Sequence, residues 1–130
     1  MLADSKAFSG FSVPDIAAAK EFYTMTLGLK VEEQGEMGLI LHLAGGLRVF
    51  VYPKPDHQPA TFTILNFEVA DIDAVIDGLV AKGVVFERYD DLPAAQDEKG
   101  VLRNDNPEYG PRGIAWFKDP AGNILSILQQ

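Results

Sequence analysis

Few side chains in this sequence can take part in bond making or breaking. It has two histidines and no cysteine. The missing thiols exclude a cysteine nucleophile, a thiolate zinc site and a disulfide framework. His42, in LILHLAG, lies among apolar neighbours. It is a candidate base; the alternative is a strand histidine satisfied by a local partner. His57, in PDHQP, is expected to be exposed. Glu68, in NFEVAD, is the second candidate base. Strand alternation puts Ile64, Asn66 and Glu68 on one face. Burial there would raise the carboxyl's pKa, whereas a solvated strand end would leave it an ordinary surface acid. Arg103, Tyr109 and Arg112 fall in a long polar segment, residues 89–112, and are placed to close over an anionic or aromatic ligand. Trp116, in GIAWFKD, serves equally as core or as a ligand platform. There is no Ser-His-Asp order, no P-loop and no glycine-rich dinucleotide fingerprint.

The elements that must position these residues come in two copies. FSVPDIAAAKEFYTMTLGLKV (11–31) aligns with FEVADIDAVIDGLVAKGVVF (67–86), Phe11 on Phe67, Asp15 on Asp71, and Gly28 on Gly83 after a one-residue gap. Each copy reads as a strand, an aspartate that can accept the free N–H groups of a helix's first turn, and a helix ended by glycine. The apolar stripes are Ile16, Ala19, Tyr23 with Phe22, and Ile72, Val75, Ile76, Leu79, Val80. Strands are expected at 30–33, 39–43 and 47–52, then at 84–88, 113–118 and 123–128. Asp119-Pro120-Ala121-Gly122-Asn123 is the turn between the last pair. The pattern is βαβββ twice, an α+β chain forming one domain of two modules, about 6–53 and 61–130, with a proline-rich linker at about 53–60.

The chain of 130 residues is 47% hydrophobic and 23% charged, with a net charge of −8. That suits one soluble domain with a real core. An acidic chain is matched poorly to a phosphate backbone, so nucleic acid is not an expected partner. No apolar run approaches the length of a membrane span, and MLADSKAFSG lacks the basic and apolar regions of a secretion signal. A cytoplasmic protein is expected.

The doubled layout, with VPDIAAAKEFYTMTLGL early and WFKDPAGNILSIL at the end, resembles the glyoxalase/bleomycin-resistance/dioxygenase superfamily, the vicinal-oxygen-chelate fold. The resemblance implies that each module curls into part of an incomplete barrel, that the halves form a cup, and that copies pair as a homodimer. Metalloenzymes of that family place one ligand of a divalent metal on each of four strands. Carried over, the ligand seven residues before the helix-opening aspartate falls on Phe8 and Ile64, and the last-strand ligand on Ser126. The repeat sets Val49 against Ser126. Phenyl and aliphatic groups cannot bind a metal, and a neutral hydroxyl is a poor ligand, so no metal or other cofactor is expected.

What remains is a metal-independent binder of a small organic molecule, which the family uses to sequester drugs or metabolites. Its cup would be walled by Phe8, Val49, Ile64 and Trp116, with Ser12, Asn66, Ser126 and Arg112 as polar contacts. The net charge is compatible with a cationic ligand. The rivals are a glyoxalase-like lyase, isomerase or dioxygenase with an atypical site using His42 or Glu68, and a non-catalytic dimeric interaction module. A cup filled by Phe8, Phe11, Phe50 and Trp116 would favour the last; a cavity of ~300 Å³ or more would favour a ligand.

Overall fold

The computed structural model describes residues 1–130, which divide into two compact units, Met1–Gln58 and Pro59–Gln130. In the first, the alternation of FSV and RVFVY produces β1 (Ser9–Val13) and β4 (Arg48–Pro53), which pair in parallel. Between them come α1 (Ile16–Glu21), β2 (Lys30–Glu33) and β3 (Leu39–His42), giving the sheet order β1-β4-β3-β2. Asp15 caps α1 by accepting the Ala18 N–H at 3.1 Å. The helix then widens into π geometry over Phe22–Thr26 before Gly28, at φ 72°, ends it. One face of the sheet carries Leu39, Leu41, Val49 and Val51, all buried, against Ala19 and Tyr23 of the helical segment. Phe11 belongs to this face, with its ring 5.9 Å from that of Tyr23.

The second unit repeats the scheme with β5 (Thr63–Glu68), α2 (Ile72–Ala81), β6 (Leu102–Arg103), β7 (Gly113–Lys118) and β8 (Ile124–Gln129), in the order β5-β8-β7-β6. Asp71 caps α2 through the Ala74 N–H, and Gly83, at φ 95°, follows its end. Ile72, Ile76 and Leu79 cover Ala115, Phe117, Leu125 and Ile127. The architecture is therefore α+β, two four-stranded mixed sheets, neither closed. No helix is long and apolar enough to cross a membrane.

The strand expected at 84–88 is not formed. Only Phe86 bridges to Phe117, with Glu87 N–H donating to Trp116 O. The free edge of β7 is instead shared: Phe86–Glu87 takes one end, and β6 pairs with Ile114 and Gly113 at the other. The residues between leave the sheet, which is why strand pairing breaks off. They are not a loose loop. Asp97 Oδ1 accepts the N–H groups of Lys99 and Val101, and the Gln96 side chain bonds Glu87 O, Gly100 O and the Tyr89 N–H. His57 also departs from expectation. It is half-buried, its Nδ1 2.6 Å from Ser12 Oγ, because the 54–58 segment folds back on β1 through Lys54 N–H to Val13 O.

Candidate functional site

The faces of the sheets away from the helices hold several of the expected site residues, and the pairing registers decide which they are. In the second unit Asn66, Ser126 and Trp116 form one row across β5, β8 and β7. Ser126 is fully buried and donates to Asn66 Oδ1 at 2.5 Å. Trp116 donates its indole N–H to Thr63 Oγ1 at 3.1 Å. Because β8 lies between β7 and β5, the indole must cross over β8 to make that bond. It thereby covers Ser126. A small side chain belongs at 126 because the space above it is taken by an aromatic ring, which Tyr89 steadies edge-on at 5.5 Å.

Thr63 was not legible as part of this row. A bulge between Thr63 and Leu65 leaves Ile64 without a ladder partner, so alternation counted back from Asn66 does not reach it. Thr63 pairs with Ile124, on the face of Ser126. Glu68 is exposed, its side chain held only by a 3.5 Å contact from Gln130 Nε2. It therefore has no burial to make it a base.

In the first unit Val49 is not the counterpart of Ser126. Phe67 pairs with Ile127 and Asn66 with Ser126; in the matching sheet Phe11 pairs with Val51 and Gly10 with Phe50. Phe50 therefore stands where Ser126 stands, and Val49 is buried on the helix side, with Leu41 as its cross-strand partner. The one-residue slip exchanged faces, as any odd shift on a strand does. Beside Phe50 the open face carries a groove of about 220 Å³, lined by Phe8, Met37, Ile40, Arg48, Val49 and Phe50. Arg48 is the one charged side chain on its wall and makes no ion pair. Tyr52 stacks on Phe50 at 6.0 Å and 20° between planes.

His42 is the cross-strand partner of Arg48 on the same face. It is half-buried, and its Nε2 lies 3.1 Å from Glu32 Oε1. Gln34 donates to the other oxygen of that carboxylate. Ser12, on β1, faces His57 rather than a carboxylate. Arg112 lies elsewhere in its own unit, beside Arg103 at a second cavity.

A family model described as the glyoxalase/bleomycin resistance protein/dioxygenase superfamily matches residues 9–127. The chain belongs to that superfamily. No curated protein matches it. Among solved structures of this superfamily's fold, it is similar to TnmS3, an antibiotic-binding protein from Streptomyces sp. CB03234, at 24% identity and a TM-score of 0.64, with 97% of each chain covered. It is also similar to the fosfomycin resistance protein FosX from Listeria monocytogenes, at 12% identity and a TM-score of 0.71, over 98% of this chain and 93% of the other. A glyoxalase family protein from Enterococcus faecalis aligns at 21% identity and a TM-score of 0.70, over 98% and 99%. These likenesses establish the fold.

The divalent metal that this superfamily implies does not fit the residues present. The positions that the resemblance assigns hold Phe8, Ile64 and Ser126, with Phe50 in place of Val49; of the hydroxyls on that face of the second sheet, the buried Ser126 donates to Asn66 and Thr63 accepts from Trp116, and neither is a carboxylate or an imidazole. No group of three or more histidine, aspartate or glutamate side chains stands close enough together to hold a metal ion.

Proposed function

We propose that this protein binds a small organic molecule without a metal, and that the groove beside Phe50 receives the ligand's ring. The observation that carries the reading is the exchange at the Ser126-equivalent position. A phenyl ring replaces a ligating side chain there, and its neighbours Phe8, Met37 and Ile40 continue the apolar wall. At about 220 Å³ the groove falls short of the ~300 Å³ expected of a site for a whole ligand, so it suits one ring system rather than a drug-sized molecule. The stacked Phe50–Tyr52 pair favours a flat aromatic partner. The unpaired Arg48 favours one bearing an acidic or carbonyl oxygen. Although the chain is acidic overall, the charge at this wall is positive, which directs the ligand search toward anionic aromatics. TnmS3, named as an antibiotic-binding protein, makes aromatic antibiotics a sensible first panel.

The test is a thermal-shift and calorimetric screen of that panel in the presence of a chelator. A ligand that binds under chelation and weakens at least about tenfold in Phe50→Ala and Arg48→Ala supports the reading. A ligand that needs a divalent metal, or ignores Phe50→Ala, contradicts it.

The Glu32–His42 pair favours a second reading, proton transfer on a bound acid. In the tautomer whose Nε2–H donates to Glu32, Nδ1 carries the lone pair, and Arg48 is the cross-strand neighbour of His42. A base oriented by a carboxylate next to a cation is suited to abstract a proton α to a carboxylate. Deuterium exchange into a bound ligand, lost in His42→Ala, would establish it.

A further inference from the structure

The second unit contains a larger cavity, of about 340 Å³, at the opposite side of its sheet from the row of Asn66, Ser126 and Trp116. It lies where Ile72, the first residue of α2, meets Gly113 and Gln129, which pair with each other at the sheet's end. A Cβ placed on Gly113 would stand 3.6 Å from the Ile72 side chain, so this is the helix-bearing face.

Most of its polar wall is already engaged. Arg103 is held by Asp73 at 2.8 Å and Asp97 at 3.0 Å. The Asn104 side chain is spent on the loop that follows, donating to Asn106 O and Gly110 O and accepting the Asn106 N–H. Gln129 Oε1 accepts the Ile72 N–H at 3.0 Å, which fixes the amide's orientation and leaves Nε2 as a donor. Two charged groups on the wall are not engaged. Arg112 and Asp105 line the same cavity, make no side-chain hydrogen bond, and lie too far apart to pair with each other. Arg112 is nonetheless set in place by its own backbone, because its carbonyl accepts the Asn104 N–H and closes the loop.

Opposite charges that share a cavity without neutralising one another are complementary to a molecule that carries both. We propose that this cavity binds a zwitterionic small molecule of the α-amino acid class, with its carboxylate on Arg112 and Gln129 Nε2 and its ammonium on Asp105. A planar guanidinium suits a carboxylate bidentately. The remaining wall, pinned before any ligand arrives, adds little ordering cost. The site is independent of the groove beside Phe50.

The experiment is thermal unfolding of the full chain with each of the common L-amino acids at millimolar concentration, followed by calorimetry on any that raises Tm. At least one should raise it. Its N-acetyl and carboxamide derivatives should each bind at least about tenfold more weakly. Arg112→Gln and Asp105→Asn should each cause a similar loss; both positions are exposed, so the unliganded Tm should hold. Phe50→Ala should leave this binding unchanged. The proposal is overturned if no amino acid raises Tm. It is also overturned if acetate alone acts as strongly while Asp105→Asn is silent, which would mark a simple anion site.

Discussion

Removing the Asp97 side chain should loosen the segment between Phe86 and β6 while leaving both sheets folded. Its Oδ1 accepts the N–H groups of Lys99 at 3.0 Å and Val101 at 2.8 Å, and its Oδ2 accepts Arg103 Nε at 3.0 Å. In Asp97→Ala the Val101 N–H is left in a fully buried residue without its carboxylate, a loss of ~1–3 kcal/mol. The Lys99 N–H can recover water and adds ~0.5–1 kcal/mol. Arg103 keeps Asp73 and is 44% exposed, so that arm contributes under ~0.5 kcal/mol. The total is about 2–4 kcal/mol, or a fall in Tm of ~8–15 °C for a chain of this size. Asp97→Asn retains the acceptor oxygen and should cost about 1 kcal/mol. Burial pushes the Asp97 carboxyl up, but the Val101 N–H, Arg103 and the Lys99 N–H outweigh it and hold its pKa below the ordinary value. A carboxyl depressed in the folded state stabilises above its unfolded pKa, near ~3.9, and that stability is lost as pH falls through the folded value. The gap between wild type and Asp97→Asn should therefore stay constant from about pH 7 down to about pH 5 and narrow below that, as pH falls through the folded value. Urea melts read by circular dichroism and by the fluorescence of Trp116, which packs on Tyr89 of the same segment, measure all of this. An Asp97→Ala protein within ~0.5 kcal/mol of wild type, or an asparagine as costly as alanine, would refute the reasoning.

Three further outcomes follow from single positions. The Tyr89 hydroxyl is buried without a partner, and burial is the main reason its pKa is raised; Tyr89→Phe should be neutral or stabilising by ~1 kcal/mol in the same melts. Gly38 has φ 132° and its Cβ would come within 2.0 Å of Val51 O, so Gly38→Ala should cost more than ~3 kcal/mol or prevent folding, whereas Gly45→Ala, with open space, should be far milder. Ser126→Glu would press a charge under the Trp116 indole and should destabilise by more than ~3 kcal/mol; a variant as stable as wild type would show that the ring does not cover that position.

The fold was legible because its signals are local and strong. Asp15 and Asp71 sit at helix starts, and Asp119 and Asn123 knit their hairpin through buried hydrogen bonds. The site was less legible because it depends on register. The repeat alignment put Val49 where Phe50 stands, since it cannot see which strand edge pairs with which. Ile64 was misleading because a bulge has no signature in TFTILNFE. The reach of Trp116 to Thr63 spans 53 positions in sequence, and neither residue type announces the other. The engagement of His42 with Glu32 was foreseen only as an unnamed local partner, because cross-strand neighbours follow from pairing rather than from spacing.

Phe8, Phe50 and Ile64 offer a metal no ligand where the resemblance to the superfamily would place one. Calorimetric titration of chelator-stripped, untagged protein with Ni²⁺, Zn²⁺, Mn²⁺ and Fe²⁺ tests it most directly. None of the four should bind stoichiometrically at affinities tighter than ~10 μM. One equivalent bound per chain at micromolar affinity or better would contradict it, and would mean that other side chains supply the ligands.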